Sequence, residues 1–228
     1  MKEDTATVNS TEELQALCAR IMQGELISDH HADEQVAVAT ILPAMCERAC
    51  CAFPLTIVHR DKPDFMLRSD HSCIGLEVTR FLAPSRAHAT ATANRLKVGF
   101  TPSRFDFGSP TRSKDQMEHA IVAPSVGLTD WKPIFDQRYV DQVIAIVEEK
   151  KQKILVDGDA PTDEDWLLID EHHRMSDLQL DFVVKQSLLR LADHWAKEPH
   201  FSKVLILFES VLVDLNQDDS GWRQVPRG

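Results

Sequence analysis

The pattern of apolar and polar residues at the start of the chain predicts two helices. Ser10 followed by two glutamates is typical of a helix start, and Gly24 is typical of a helix end. Between them, apolar residues recur at helical spacing: Leu14, Leu17, Cys18 and Ile21. A second helix is predicted over residues 32–50, where Pro43 kinks the helix or divides it in two.

The next part of the chain predicts a meander of three short strands. Its β-branched and apolar content favours extended structure, and the polar residues 68–72 predict a hairpin turn between the last two segments. The predicted strands are residues 55–59, 64–67 and 73–79. Because successive residues of a strand face opposite ways, the apolar side of the third strand leaves Glu77 and Thr79 on the other side.

The remaining chain alternates predicted helices with short apolar strands. The helices are expected over residues 87–97, 137–155 and 180–195, and the strands over residues 166–169, 204–208 and 211–215. This order of elements predicts an α/β fold with a mixed central sheet flanked by helices. We expect an N-terminal helical appendage (1–28), an α/β domain (29–216) and a polar C-terminal tail (217–228).

Length and composition agree with a globular protein. The chain has 228 residues, of which 43% are hydrophobic and 27% are charged, so extensive disorder and fibrous structures are excluded. The longest uncharged apolar run, residues 36–46, is about half of the ~20 residues that a membrane-spanning helix needs. The N-terminal residues also lack the apolar stretch of a secretory signal, which predicts a cytoplasmic protein.

The charge of the chain is unevenly distributed. The net charge of −11 argues against broad coating of nucleic acid. Residues 80–114, however, contain seven basic residues and only one acidic residue. This basic segment is either a phosphate-binding surface or an ordinary solvated helix and loop.

The hairpin places two carboxylates within reach of each other. Asp64 lies on the side of its strand opposite the apolar Phe65 and Leu67, so it can meet Glu77 on the adjacent strand. Two carboxylates without an obvious basic partner repel each other, unless one is protonated or a divalent cation neutralises both. The alternative is that Asp64 caps a turn while Glu77 is exposed at a sheet edge.

Pro63-Asp64, a hairpin and then Gly75-Leu76-Glu77-Val78-Thr79 resemble the PD-(D/E)xK nuclease superfamily, which has the restriction-endonuclease-like fold. The order of elements is similar over about residues 30–210. The resemblance implies that Asp64 and Glu77 bind a catalytic Mg²⁺, with Mn²⁺ as an alternative ion. It also implies a further metal ligand from the helix that precedes the meander, here the helix predicted over residues 32–50. Glu34 is the candidate for this ligand and Glu47 is the rival.

The chain departs from the superfamily at Thr79, where the motif has a lysine. Some branches of the superfamily carry the basic group on a following helix instead. On the long predicted helix, Lys150 lies almost in line with the apolar stripe and Lys153 lies at its edge. A lysine on a buried face needs a partner, and the two carboxylates would supply one. Alternatively, Lys150 or Lys151 lays its stem on the core and extends its ammonium into water.

Taken together, the residues and the resemblance predict Mg²⁺-dependent hydrolysis of phosphodiester bonds in nucleic acid, with DNA as the favoured substrate. The expected catalytic residues are Asp64, Glu77, Lys150 and Lys153, and the expected metal ligands are Asp64, Glu77 and Glu34. The expected contacts to the phosphate backbone come from Arg80, Arg86, Arg95, Lys97 and Arg104. The alternative is a catalytically inactive nuclease-like module that binds nucleic acid or a protein partner, which Thr79 and the acidic total favour.

Overall fold

The structure of the chain is a computed structural model that describes most of its length. The described residues are 4–27, 31–47, 52–81, 84–99, 112–122, 132–157, 162–171, 178–196, 201–208, 210–217 and 220–225. Within these segments, only the backbone is described for residues 84, 132–135 and 153–157. Residues 100–111 lie outside the described residues.

Six helices and eight strands make up the described part of the chain. The helices are α1 (Thr11–Met22), α2 (Ala32–Glu47), α3 (Pro84–Leu96), α4 (Lys114–Val122), α5 (Lys132–Asp157) and α6 (Leu180–Ala196). The strands are β1 (Asp4–Val8), β2 (Leu55–His59), β3 (Phe65–Arg68), β4 (Cys73–Arg80), β5 (Glu164–Glu171), β6 (Lys203–Phe208), β7 (Val211–Leu215) and β8 (Gly221–Gln224).

The strands form one mixed sheet in which spatial order follows chain order from β1 to β8. Strands β1 to β4 are an antiparallel meander, β4 to β6 run parallel, and β7 and β8 return to antiparallel pairing. Parallel neighbours need long crossover connections, and these connections carry helices α3 to α5 and helix α6. The predicted mixed α/β architecture is therefore confirmed.

Helices cover both faces of the sheet. Helices α1 and α2 pack on one face, which includes the alternate residues Ile74, Leu76 and Val78 of β4. Helices α5 and α6 pack on the other face, which includes Leu167 and Ile169 of β5. The side of β4 that carries Glu77 is thus a second, helix-covered core rather than an open surface.

The chain termini contribute more to the sheet than the sequence predicts. Strand β1 pairs with β2, strand β8 pairs with β7, and neither strand was predicted. The segment predicted as a helical appendage therefore supplies an edge strand and a helix, α1, that shares the core of the first face. Helix α2 continues through Pro43 without division. In the described part of the chain, no helix combines the length and the apolar character needed to cross a membrane.

Candidate functional site

Three of the predicted site residues, Glu34, Arg80 and Lys150, line a cavity at the carboxyl ends of the parallel strands β4 and β5. In open α/β sheets, ligands bind outside the carboxyl ends of the parallel strands. The first turn of α2 lies over this edge and encloses a cavity of about 420 Å³ together with the strand ends and α5. The cavity is lined by His31, Ala32, Asp33, Glu34, Val78, Thr79, Arg80, Lys150 and Asp170.

The β3–β4 hairpin brings Asp64 beside Glu77. Phe65 pairs with Leu76 across the antiparallel ladder, so the preceding Asp64 lies opposite Glu77. The Asp64 carboxylate is fixed by the backbone, because its Oδ2 accepts the Val78 N–H at 2.7 Å. This hydrogen bond leaves Oδ1 of Asp64 available to a ligand.

Gly75 allows the strands beneath the site to approach closely. It lies opposite Met66 of β3 and Asp165 of β5. A Cβ atom at this position would lie 2.5 Å from Asp165 Oδ1 and 3.1 Å from Pro63 Cγ. A larger residue here would force the Asp165 side chain to move, so glycine is favoured by packing.

Lys150 of α5 reaches the site from the second face of the sheet. Its Nζ donates to Glu77 Oε1 at 2.6 Å and lies 3.5 Å from the carbonyl oxygen of Val78. The Lys150 and Glu77 side chains are only 18% and 15% exposed, so the ion pair is largely removed from water. The inward orientation predicted from the helical stripe is the orientation observed, and the catalytic role of Lys150 stays a prediction.

The two carboxyl groups of the hairpin have different environments. Burial, the Glu77 charge and, more weakly, the Glu34 charge raise the pKa of Asp64 to about 7. The Val78 N–H and the Lys150 ammonium oppose this rise but do not cancel it. A group with this pKa is protonated in about half of the molecules at neutral pH, and a nearby cation would favour the ionised form.

Glu34 is the glutamate of α2 that lies at the site. It lines the cavity in the first helical turn, and its charge contributes to the raised pKa of Asp64. Its rival, Glu47, is the last residue of the same helix. At 1.5 Å per residue the two lie about 20 Å apart along the helix axis, so Glu47 is remote from the hairpin carboxylates.

The predicted basic residues are spread over a wider surface. Arg80 ends β4, lines the cavity and forms an ion pair with Asp33 of α2. Arg86 lies in the first turn of α3, and Arg95 near its end forms an ion pair with Glu118 of α4. Lys97 is an exposed residue just beyond α3 and does not line the cavity. Arg104 lies outside the described residues.

The remaining lysines of α5 are not placed at the cavity. Lys151 is partly buried and does not line it. Lys153 belongs to the backbone of α5, but its side chain lies outside the described residues. Its predicted catalytic role therefore stays a prediction, whereas the contacts of Lys150 are defined.

Three ionisable residues of the cavity were not predicted from the sequence. His31 precedes α2 in a left-handed conformation with a φ of 55°, and its Nδ1 lies 3.3 Å from Glu34 Oε1. Asp33 pairs with Arg80, and Asp170 is buried near the end of β5, opposite Arg80 in the strand register. The available signals were an acidic first helical turn and an acid pair that directly follows the apolar residues of β5.

The donor set at the hairpin fits part of a magnesium site. Among the described residues, no group of three His, Cys, Asp or Glu side chains is arranged as a complete set of metal ligands. Mg²⁺, however, is usually held by one or two carboxylates together with waters and substrate phosphates. Asp64 and Glu77 each use one oxygen in the hydrogen bonds above, so a second oxygen of each carboxylate remains for a cation.

A second cavity, of about 490 Å³, lies between α6 and β8. It is shallow and largely apolar, and Leu189 and Trp222 are exposed at its surface. None of the predicted site residues lines it. The chemistry-bearing residues therefore identify the smaller cavity at β4 and β5 as the candidate site.

Comparison of the chain with protein-family models, with curated proteins and with solved structures gave no match. The resemblance to the PD-(D/E)xK superfamily thus depends on residues 63–64 and 75–79 and on the order of the elements. It stays a prediction.

Proposed function

We propose that the chain is a Mg²⁺-dependent phosphodiesterase of nucleic acid, with DNA as the favoured substrate and a restriction-endonuclease-like fold. The observation that carries this proposal is the arrangement of Asp64, Glu77 and Lys150 at one end of the sheet. Two carboxylates and an ammonium occur together in a largely buried position. Of the three, Lys150 lines the cavity, and the two carboxylates lie behind it. This arrangement matches the charges that phosphodiester hydrolysis requires.

In the proposed reaction, the hairpin carboxylates Asp64 and Glu77 would hold the metal ion beside the cavity, with waters and phosphate oxygens as the remaining ligands. Glu34, which lines the cavity, stays the predicted further ligand. The bound ion would lower the pKa of a water molecule and neutralise charge on the phosphate. The Val78 N–H fixes the Asp64 carboxylate, which spares the side chain a reorientation when the ion binds. Because burial and neighbouring acids raise the pKa of Asp64, the site releases a proton as it takes up the cation.

Lys150 supplies the positive charge that Thr79 cannot provide. Its ammonium lies beside Glu77 and lines the same cavity as Thr79, so the charge is available from α5 rather than from β4. An ammonium in a poorly solvated site stabilises the charge that develops on the phosphate oxygens. This role explains why an α5 lysine is directed at the hairpin instead of at water.

Arg80 is the basic residue best placed to contact the phosphate backbone beside the cavity. It follows Glu77 by three residues on β4, and its guanidinium is half exposed. Its pairing with Asp33 is a surface ion pair, which contributes little stability and can be replaced by a phosphate. Arg86, Arg95 and Lys97 would extend this contact along α3.

The test is metal-dependent cleavage of supercoiled plasmid DNA by the purified protein. Wild type should convert the plasmid to nicked or linear DNA with Mg²⁺ or Mn²⁺ and should be inactive with excess chelator. Asp64→Ala should lose this activity, whereas Asp115→Ala, a substitution of an exposed aspartate of α4, should retain it. Equal cleavage by wild type and Asp64→Ala would exclude the proposed site. Parallel assays with RNA decide the substrate class.

The second candidate function is an inactive nuclease-like module that binds nucleic acid or a protein partner. One observation favours it: Arg80 and Arg95 are both paired with acids of this chain, which reduces the basic character of the predicted surface. In that case the protein would not cleave DNA under any metal condition, and a module for a protein partner would also bind DNA weakly or not at all. Binding measured beside the cleavage assay separates the two functions.

A further inference from the structure

We infer that Lys150 and a divalent cation compete for the Glu77 carboxylate, so that Lys150 holds the cation affinity of the site low until substrate arrives. This inference rests on the proposed function and concerns the regulation of the same site. It assigns Lys150 a second role, in addition to stabilising charge on the phosphate. The role can be measured by metal binding alone.

The first support is the position of the ammonium. Lys150 Nζ lies 2.6 Å from Glu77 Oε1, which is a short, charge-assisted hydrogen bond. The two side chains are 18% and 15% exposed, so water screens their charges only weakly. In the structure, the ammonium is thus the positive charge that balances Glu77.

The second support is the limited room for two cations. An ion on the remaining oxygens of Asp64 and Glu77 would lie within a few ångströms of the Lys150 ammonium. Like charges at such separations repel strongly where solvent is sparse. The ion therefore binds with reduced affinity while the ammonium stays, or it displaces the ammonium from Glu77.

The third support is the place to which the ammonium can move. Lys150 lines the cavity of about 420 Å³, together with Thr79 and Arg80. A lysine has a long, flexible stem, so its ammonium can leave Glu77 without movement of α5. In the cavity it would meet the phosphate of a bound nucleic acid, which links metal loading to substrate binding through one side chain.

The experiment is calorimetric titration of Mn²⁺ into the full chain without nucleic acid. Removal of the ammonium should tighten binding, so Lys150→Met and Lys150→Gln should each lower the Kd for Mn²⁺ by about tenfold or more. Lys150→Arg keeps the charge and should stay within about threefold of wild type. Lys151→Met, which changes the adjacent lysine of the same helix, is the matched control and should leave the Kd unchanged.

Glu77→Gln distinguishes failure of this inference from failure of the proposed function. If wild type and both neutral variants bind Mn²⁺ equally, and Glu77→Gln does not bind, the competition is wrong and the metal site stands. If none of these proteins binds Mn²⁺ at millimolar concentration, both proposals are wrong. Weaker binding by the neutral variants would also overturn the inference, because Lys150 would then orient Glu77 for the ion. Circular dichroism checks that each variant is folded.

Discussion

Two of the described ion pairs that involve basic residues predicted to act on nucleic acid differ in their surroundings. Lys150 of α5 pairs with Glu77 beneath the cavity, where the side chains are 18% and 15% exposed. Arg95 of α3 pairs with Glu118 of α4, where the side chains are 48% and 33% exposed. The same type of contact is therefore made once in a largely buried site and once near the surface.

The difference indicates which pair has a functional reason to exist. Removing charges from water is costly, and burial of an ion pair often fails to repay that cost. An exposed pair is inexpensive to form and contributes little. Hydrophobic residues at positions 77 and 150 could fill the second core of the sheet at no loss of stability, so the proposed function would give the Lys150–Glu77 pair its reason. The Arg95–Glu118 pair needs no explanation beyond the packing of α3 against α4.

The largest expected effect comes from removing the Lys150 ammonium. Lys150→Met should reduce cleavage by about 100-fold or more, because a preorganised charge at the phosphate is lost while the apolar stem is kept. Thr79→Lys should partly restore activity in this background, because position 79 lines the same cavity. Initial rates of plasmid cleavage at saturating Mg²⁺ measure both effects.

The exposed Arg95–Glu118 pair supplies the control for this prediction. Arg95→Met removes the cation of the exposed pair and should change the cleavage rate by less than about threefold. If Lys150→Met cleaves at the wild-type rate, the buried pair has no catalytic role and Lys153 becomes the residue to test. A comparable loss in Arg95→Met would show that the exposed pair matters as much as the buried one.

Much of the fold could be predicted because its signals are local. The meander, the parallel strands and α6 follow from periodicity and turn residues within short windows. Strands β1 and β8 were missed because each is short, lies at a sheet edge and is defined by pairing with a distant segment. Helix α2 continues through Pro43 because packing on α1 and the sheet outweighs the lost hydrogen bond.

The site could be predicted only in part, because only some of its contacts are local in the sequence. Asp64 and Glu77 belong to one hairpin, so their proximity follows from register. Lys150 could be proposed from its helical stripe because burial of an unpaired ammonium is costly. The approach of the first turn of α2 to the end of β4 depends on tertiary packing, so the acidic first turn alone did not place Asp33 at the cavity, and His31 had no local signal.

The second-largest effect should be a pH dependence of stability caused by Asp64. Its pKa is about 7 in the folded protein, against an ordinary value of 3.8. Between these values the folded state keeps a proton that the unfolded state has released, so the free energy of unfolding falls as pH rises through this range. The fall should be about 2 kcal/mol between about pH 5 and pH 7, and it should level off above that pH.

Urea denaturation as a function of pH tests this expectation. Asp64→Asn cannot ionise, so its stability should lack this component of the decline and exceed that of wild type most clearly above pH 7. Asp115→Asn, a matched substitution at an exposed aspartate, should follow the wild-type profile. Parallel profiles for wild type and Asp64→Asn would show that the pKa of Asp64 is not raised in the folded protein.

Magnesium should produce a moderate stabilisation that depends on the buried pair. With millimolar affinity and 10 mM Mg²⁺, mass action should raise the melting temperature of wild type by about 2–5 °C. Glu77→Gln should lose the shift, because the carboxylate that would bind the ion has been removed. Glu118→Gln removes the acid of the exposed pair and should keep the shift in melting temperature. An equal shift in all three proteins would place the bound ion elsewhere.

The smallest effect should come from the exposed pair. Arg95 lowers the pKa of Glu118, which shows that the two charges interact, but both side chains remain accessible to solvent. Glu118→Gln should therefore change the melting temperature by less than about 2 °C.

The guanidinium of Arg95 that Glu118→Gln releases should tighten binding to duplex DNA by about twofold. The gain should disappear in high salt because phosphate contacts release counterions. Fluorescence anisotropy at two salt concentrations measures it. A gain that persists in high salt would show that Arg95 does not act through phosphate contacts, and no gain at all would remove α3 from the proposed nucleic-acid surface while leaving Arg80 at the cavity.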